Sequence, residues 1–193
     1  MKNQTSDYIE YDRAFNKGRE LLWSEKQSII GFYIIFSINT GLRVSDILNI
    51  KHSDLQDLKQ GDCLRVIEKK TRKPREIQVN AKILQSYSDL KQGILKRSKH
   101  INPDSNIFIS QKGTVYANVS LNRILKTVFA GEARHISTHS LRKTFGRRVY
   151  DNNGKSENAL MYLSVMLNHS SLAITRIYLG LRQEVIANIY MNL

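Results

Sequence analysis

Five residues in this chain combine side-chain type and spacing in a way that suits chemistry on a phosphodiester: Arg43, His139, Arg142, His169 and Tyr178. A phosphodiester under attack gains negative charge on its non-bridging oxygens. A guanidinium binds two such oxygens through parallel hydrogen bonds and stays charged at any working pH. Two arginines preorganised on one phosphate would supply much of the stabilisation that such a reaction needs. Arg142 follows His139 by three residues, which on a helix puts both on one face. Thr138 reads as the cap of that helix, with Leu141 three residues on, so no capping box is expected. A helix start also favours a bound anion. Arg43 follows the glycine turn Thr40-Gly41-Leu42 and precedes Asp46 by three, so a carboxylate is expected to hold it. Tyr178 follows His169 by nine residues near the end of the chain. A tyrosine nucleophile must lose a proton of pKa about 10, and nearby arginines would favour the phenolate.

Each feature alone has a plainer reading. His139 and Arg142 could be a helix-surface pair, Arg43 and Asp46 a surface ion pair, and Tyr178 a core tyrosine. Composition narrows the choice. Thirty Lys and Arg stand against 17 Asp and Glu in 193 residues, a formal charge of +13. A polyanion is the natural partner. The basic residues are spread through patterned sequence, which favours a globular surface that cradles nucleic acid. The single cysteine, Cys63, excludes a disulfide framework and a Cys-based zinc site, and fits a reducing compartment. No His, Cys, Asp and Glu set has metal-ligand spacing, and no Gly-x-x-x-x-Gly-Lys loop occurs, so no cofactor is expected. No apolar run reaches the roughly 20 residues that a membrane span needs, and a cytoplasmic protein is expected.

The elements that must position these residues follow from periodicity. Residues 1–11 lack an apolar period and read as a flexible lead. A helix from residue 12 carries Phe15, Leu21, Leu22 and Trp23, with Gly18 weakening its middle. Ser24 and Gln27 have capping-box spacing before a helix apolar nearly all round, Ile29 to Ile38, which belongs in a core. Gly41 ends it, and a short helix holds Ser45 to Leu48. Residues 63–68 and 75–79 read as a hairpin with the basic tip Lys69-Lys70-Thr71-Arg72-Lys73-Pro74. Helices are expected over 81–96, 118–129, 138–151, from Ser156 to about 167, 172–178 and 182–193, with a strand or extended piece at 107–109. The fold class is mainly α with a small antiparallel β-sheet. Asn168 sits where a helix should stop, and asparagine suits the left-handed stop position.

Taken in order, Thr40-Gly41-Leu42-Arg43-Val44-Ser45-Asp46, the basic hairpin, His139-x-x-Arg142, Leu167-Asn168-His169-Ser170-Ser171 and Thr175-x-x-Tyr178 resemble the tyrosine recombinase (phage integrase) family. The resemblance covers residues 12–193. It implies a tyrosine recombinase catalytic domain that breaks and rejoins DNA strands through a 3′-phosphotyrosyl link. Arg43 and Arg142 would clamp the phosphate. Lys70, with Lys69 and Lys73 as alternatives, would protonate the leaving 5′ oxygen. Lys70-Thr71 is similar to the family's Lys-Thr-Gly turn, with Arg72 in the glycine's place. His139 would act in proton transfer and orientation, His169 would bond a non-bridging oxygen, and Tyr178 would attack phosphorus. Asn168 stands where the family has glycine.

The resemblance also implies double-stranded DNA as partner, a homotetramer on DNA with exchange of the C-terminal tail (Val185, Ile186, Ile189, Tyr190, Leu193), and a place on the nucleoid. Accessory DNA-bending proteins would fit the same scheme. The family's N-terminal core-binding domain is not expected within these residues, so the chain reads either as a piece of a longer integrase or as a minimal form. A type IB topoisomerase-like enzyme, a non-catalytic DNA-binding relative and a basic RNA-binding protein remain as alternatives.

Overall fold

Helix α2 (Ser28–Thr40) is buried on every side, as its unbroken apolar run requires. In the computed structural model, which describes residues 6–98, 100–181 and 189–193, the other elements assemble around it. Helix α1 (Tyr11–Leu22) crosses it at backbone contact: a Cβ on Gly31 would lie 2.3 Å from the Leu22 nitrogen and 2.5 Å from the Gly18 carbonyl oxygen. Gly18 therefore belongs to a close helix crossing, where the lost helix propensity is offset by packing. On the other side, Phe32 stacks on Phe108, Phe36 tilts against it and Tyr33 meets it edge to face, and Phe32 also meets Tyr87 of α4 (Ala81–Ser98). Gly41 ends α2 in the left-handed region, at φ 60°, where a Cβ would collide with the Phe145 ring.

The remaining elements are α3 (Val44–Ile47), a short 3-10 turn (His52–Asp54), the antiparallel pair β1 (Cys63–Ile67) and β2 (Pro74–Gln78), α5 (Asn118–Val128), α6 (Thr138–Asn152), α7 (Glu157–Met166) and α8 (Leu172–Leu179). Register pairs Cys63 with Gln78 and Ile67 with Pro74, so residues 68–73 form the hairpin tip. The fold is mainly α with one small antiparallel sheet, as expected. A second apolar cluster, Phe145, Leu160, Leu163, Leu167, Leu179 and Leu181, holds α6, α7 and α8 together, and Tyr178 packs against it.

Several local expectations change. Ser24 does not cap α2; residues 23–27 form turns in which the Ser24 N–H donates to the Leu21 carbonyl and the Gln27 N–H to the Ser24 carbonyl, and the helix begins at Ser28. Of the two readings for 107–109 the extended piece holds: Asn106 and Ile109 form isolated bridges with Lys51 and Val115, and no strand is built there. Residues 6–10, expected as part of a loose lead, are tied down: Ile9 is 3% exposed, its N–H donates to the Thr144 hydroxyl, and that hydroxyl donates to the Ile9 carbonyl. The apolar pattern of so short a segment gives no sign of this. The expected last helix falls largely outside the described residues; 189–191 are helical. No helix among the described residues is long and apolar enough to cross a membrane.

Candidate active site

The start of α6 is built one residue earlier than its sequence suggests. Ser137, not Thr138, is the cap: its hydroxyl accepts from the His139 N–H at 3.1 Å, and the Ser140 hydroxyl accepts from the Ser137 N–H at 3.0 Å. This serine–serine capping box was missed because glutamate or glutamine is the usual partner residue. It sets His139 at the exposed first turn and Arg142 one turn deeper, 3% exposed. The Arg142 Nη2 donates to the Leu167 carbonyl at 2.7 Å, tying α6 to the end of α7. Its Nη1 is buried with no hydrogen-bond partner among the described residues.

Arg43 sits at the extended position before α3, straight after the Gly41 turn. A carboxylate does hold it, but not Asp46. Arg43 Nη1 lies 2.9 Å from Oε2 of Glu68, the residue just after β1, which has no solvent exposure. Asp46 instead accepts from the Lys69 N–H at 2.9 Å and from the Ser45 hydroxyl at 3.1 Å, and so anchors the hairpin to α3. The three-residue spacing counts neighbours along a helix, whereas Arg43 precedes the helix and turns to the hairpin.

Glu68 was not legible as a site residue, and neither was Arg75. The Arg75 Nη2 donates to the Thr40 carbonyl at 2.7 Å, and its Nη1 lies 3.7 Å from Glu68 Oε1. Burial, then the charge of Arg142, brings the Arg75 guanidinium down to about 10. Three arginines (43, 75, 142) thus share one site with two carboxylates (Asp46, Glu68), which leaves a surplus of positive charge.

His169 follows Asn168, which adopts the left-handed stop at φ 53°. Its Nδ1 lies 3.0 Å from the Thr175 hydroxyl, and its ring meets the Tyr178 ring edge to face at 5.2 Å. Partial burial, then the charges of Arg142 and Arg43, lowers its pKa to about 4. His169 is therefore neutral at pH 7. For its Nε2 to donate to an oxygen, its Nδ1 must accept the Thr175 proton. His139 is lowered in the same direction by desolvation and by the charges of Arg142, Arg43, Lys143 and Lys70. Lys70 is exposed at the hairpin tip, yet its charge reaches His139.

The Tyr178 hydroxyl is buried beneath these groups. It makes no hydrogen bond of good geometry among the described residues, although Arg142 lies close enough to act on it. Burial pushes its pKa up to about 12, against the pull of Arg142 and Arg43. The expected effect of the arginines is present, but desolvation outweighs it. The ammonium of Lys143 lies 5.4 Å from the centre of the Tyr178 ring. The structure thus gathers Arg43, Arg142, His169 and Tyr178 within electrostatic reach of one another, with His139 and Lys70 at the edge of the group. No group of three or more potential metal ligands occurs among the described residues.

The family profile described as "Phage integrase family" matches residues 24–184. The probable integrase/recombinase YoeC of Bacillus subtilis is 35% identical over 155 residues, covering 79% of this chain and 78% of its own length. The tyrosine recombinase XerH of Campylobacter jejuni is 30% identical over 144 residues, 73% of this chain but 38% of the relative. Several matched recombinases are thus much longer than the part that this chain spans. Among solved structures, XerH bound to its palindromic difH substrate superposes with TM-score 0.72 at 22% identity, over 98% of this chain and 54% of that one. A lambda integrase dimer bound to a core site gives TM-score 0.62 at 18% identity, over 93% and 61%. The long profile match and the YoeC identity decide the assignment: the chain belongs to the phage integrase family, the tyrosine recombinases.

Proposed function

We propose that this chain is the catalytic domain of a site-specific DNA recombinase that cuts and rejoins double-stranded DNA through a 3′-phosphotyrosyl intermediate. One observation carries the reading. Arg142 Nη1 and the Tyr178 hydroxyl are both buried and both lack a good hydrogen bond among the described residues, in a site with surplus positive charge. Leaving such groups unsatisfied is costly, and an inserted phosphate would satisfy both.

In this reading Arg43 and Arg142 bind the non-bridging oxygens, and His169 donates Nε2–H to one of them while Thr175 donates to its Nδ1. The Tyr178 oxygen attacks phosphorus as its proton passes to His139, which the surrounding charges keep neutral. The bond from phosphorus to O5′ breaks, and the leaving oxygen takes a proton from Lys70. The phosphodiester energy is kept in the protein–DNA link, so a 5′ hydroxyl can reverse the step and no ATP is needed. The raised Tyr178 pKa keeps the nucleophile protonated without substrate, which suits an enzyme that must not act on stray phosphates.

Assembly belongs to the same proposal. Ile189, Tyr190, Met191 and Leu193 are exposed, as are Met161, Tyr162 and Val165 on α7. Docking the tail on a neighbouring protomer would cover such apolar surface and build a homotetramer on DNA. The place of action would be the nucleoid.

A nicked duplex carrying the cognate core site tests the chemistry, because the nick lets the strand end diffuse away and blocks religation. Wild type is expected to form a complex that survives denaturing electrophoresis, and Tyr178→Phe none. A Tyr178→Phe protein that still trapped DNA would overturn the assignment. Exchange between two sites, against relaxation of a supercoiled circle without exchange, separates a recombinase from a topoisomerase.

A further inference from the structure

The buried carboxylate of Glu68 joins three parts of the chain that are remote in sequence. Its Oε2 lies 2.9 Å from Arg43 Nη1, accepts from the Thr71 hydroxyl at 2.9 Å, and accepts from the Asn168 amide at 2.9 Å. The same amide lies 3.3 Å from the Thr71 hydroxyl. A carboxylate with no exposure is costly to desolvate and persists only where such partners compensate it. Burial pushes its pKa up, and the bonds from Asn168, Thr71 and Arg43 pull it down further, so it remains ionised.

Placement gives the cluster its meaning. Thr71 is the chain neighbour of Lys70, and Asn168 is the chain neighbour of His169. The tip itself is closed by the Arg72 N–H to the Glu68 carbonyl at 2.7 Å and by the Glu68 N–H to the Lys73 carbonyl at 3.0 Å. Arg72 and Asn168 both take left-handed backbone, at φ 55° and 53°. Glycine adopts that conformation without strain. Asparagine at 168 adds the amide that reaches the hairpin, which glycine would lack.

We propose that Glu68 is a positioning residue and that, with Thr71 and Asn168, it forms a latch that clips the Lys70 hairpin to the His169 turn while orienting Arg43. The part concerning Lys70 rests on the proposed role of that lysine as proton donor to O5′. An unlatched hairpin would keep the Asp46 anchor at Lys69 but lose the hold at Thr71 on the other side of Lys70, so that Lys70 could swing away from the leaving oxygen. Arg43 would lose its charged anchor at the same time only if Glu68 itself were changed. The two halves of the latch therefore separate by mutation.

The test uses single-turnover cleavage by the full chain on two nicked substrates, one ordinary and one with sulfur replacing the bridging 5′ oxygen. When the bond from phosphorus to sulfur breaks, the thiolate leaves without a proton, so loss of the proton donor no longer matters. Asn168→Gly keeps the backbone and deletes the amide; Thr71→Val deletes the hydroxyl. Both are expected to slow cleavage of ordinary DNA by about tenfold. On the sulfur substrate both are expected to come within about threefold of wild type, as is Lys70→Ala. Glu68→Gln is expected to be slow on both substrates, because Arg43 acts on the non-bridging oxygens whichever atom leaves.

Asn168→Gly at the wild-type rate, or slowed equally on both substrates while Lys70→Ala is rescued, would overturn the latch. Glu68→Gln at the wild-type rate would overturn its positioning role. If Lys70→Ala is not rescued, the proton-donor reading fails, and the latch is then judged without chemistry. Trypsin should cut DNA-free Asn168→Gly faster than wild type after Lys69, Lys70 or Arg72. An unchanged rate there would overturn the latch.

Discussion

Replacing Arg142 with lysine keeps the charge and removes the fork, so it asks whether geometry or charge carries the site. Arg142 has two tasks that diverge from one planar group. Its Nη2 holds the Leu167 carbonyl at 2.7 Å, and its Nη1 is buried without a hydrogen-bond partner among the described residues, while the guanidinium acts on the Tyr178 hydroxyl. A lysine ammonium reaches one of these positions and not both. If it stays with Leu167, the transition state loses one charge-assisted contact. Losses of that kind cost about 2.7–4 kcal/mol, or about 10²–10³-fold in rate. If it moves towards the phosphate, the Leu167 carbonyl is left unsatisfied at a cost of about 1–3 kcal/mol in stability, read as about 2–4 °C in Tm per kcal/mol for a chain of this size. The assay is single-turnover formation of the covalent complex on the nicked substrate, with thermal melts in parallel. Arg142→Lys is expected to cleave at least about a hundredfold slower than wild type while still binding DNA. Cleavage within about threefold of wild type, with or without a lowered Tm, would refute the fork argument and show that the positive charge alone is enough at this position.

Three further outcomes follow from the same geometry. His169 has a folded pKa of about 4, below its unfolded value of about 6.5; its contribution to stability is full above pH 6.5 and is lost as pH falls towards 4. Thermal melts across that window should show a steeper fall for wild type than for His169→Gln, and identical slopes would contradict the assigned environment. Gly31→Ala should lower Tm clearly, by at least about 1–3 kcal/mol of stability, because its Cβ would lie 2.3 Å from backbone that cannot yield; an unchanged melt would mean that α1 and α2 do not cross there. Ending the chain after Leu181 retains Tyr178 and should abolish the DNA-bound multimer in native gels, while an unchanged multimer would dispose of tail exchange.

The sequence carried the helices well, because each has a continuous apolar stripe and most have a stop such as Gly41 or Asn168. It also brought out four side chains that the fold sets within electrostatic reach of one another, Arg43, Arg142, His169 and Tyr178. What it hid were partners chosen in three dimensions. Asp46 lies three residues from Arg43, yet the carboxylate that binds Arg43 comes from Glu68; strand alternation puts Glu68 in phase with the buried Leu64 and Val66, but it does not say which cation this acid meets. Arg75 is invisible for the same reason: only the fold turns it onto the carbonyls of Thr40 and Gly41. Ser137 and Ser140 formed a capping box from two short hydroxyls, a pattern without a sequence mark. The Tyr178 pKa went the other way because charges are countable in sequence and burial is not.

The central claim is that Tyr178 becomes covalently bound to DNA. Trapped complex, trimmed with nuclease and digested with trypsin, should yield the peptide of residues 177–182, cut after Arg176 and Arg182, in which Tyr178 is the single tyrosine. Tandem mass spectrometry should find a 3′-linked nucleotide on that residue. An adduct on any other tyrosine, or on a serine, would contradict the account.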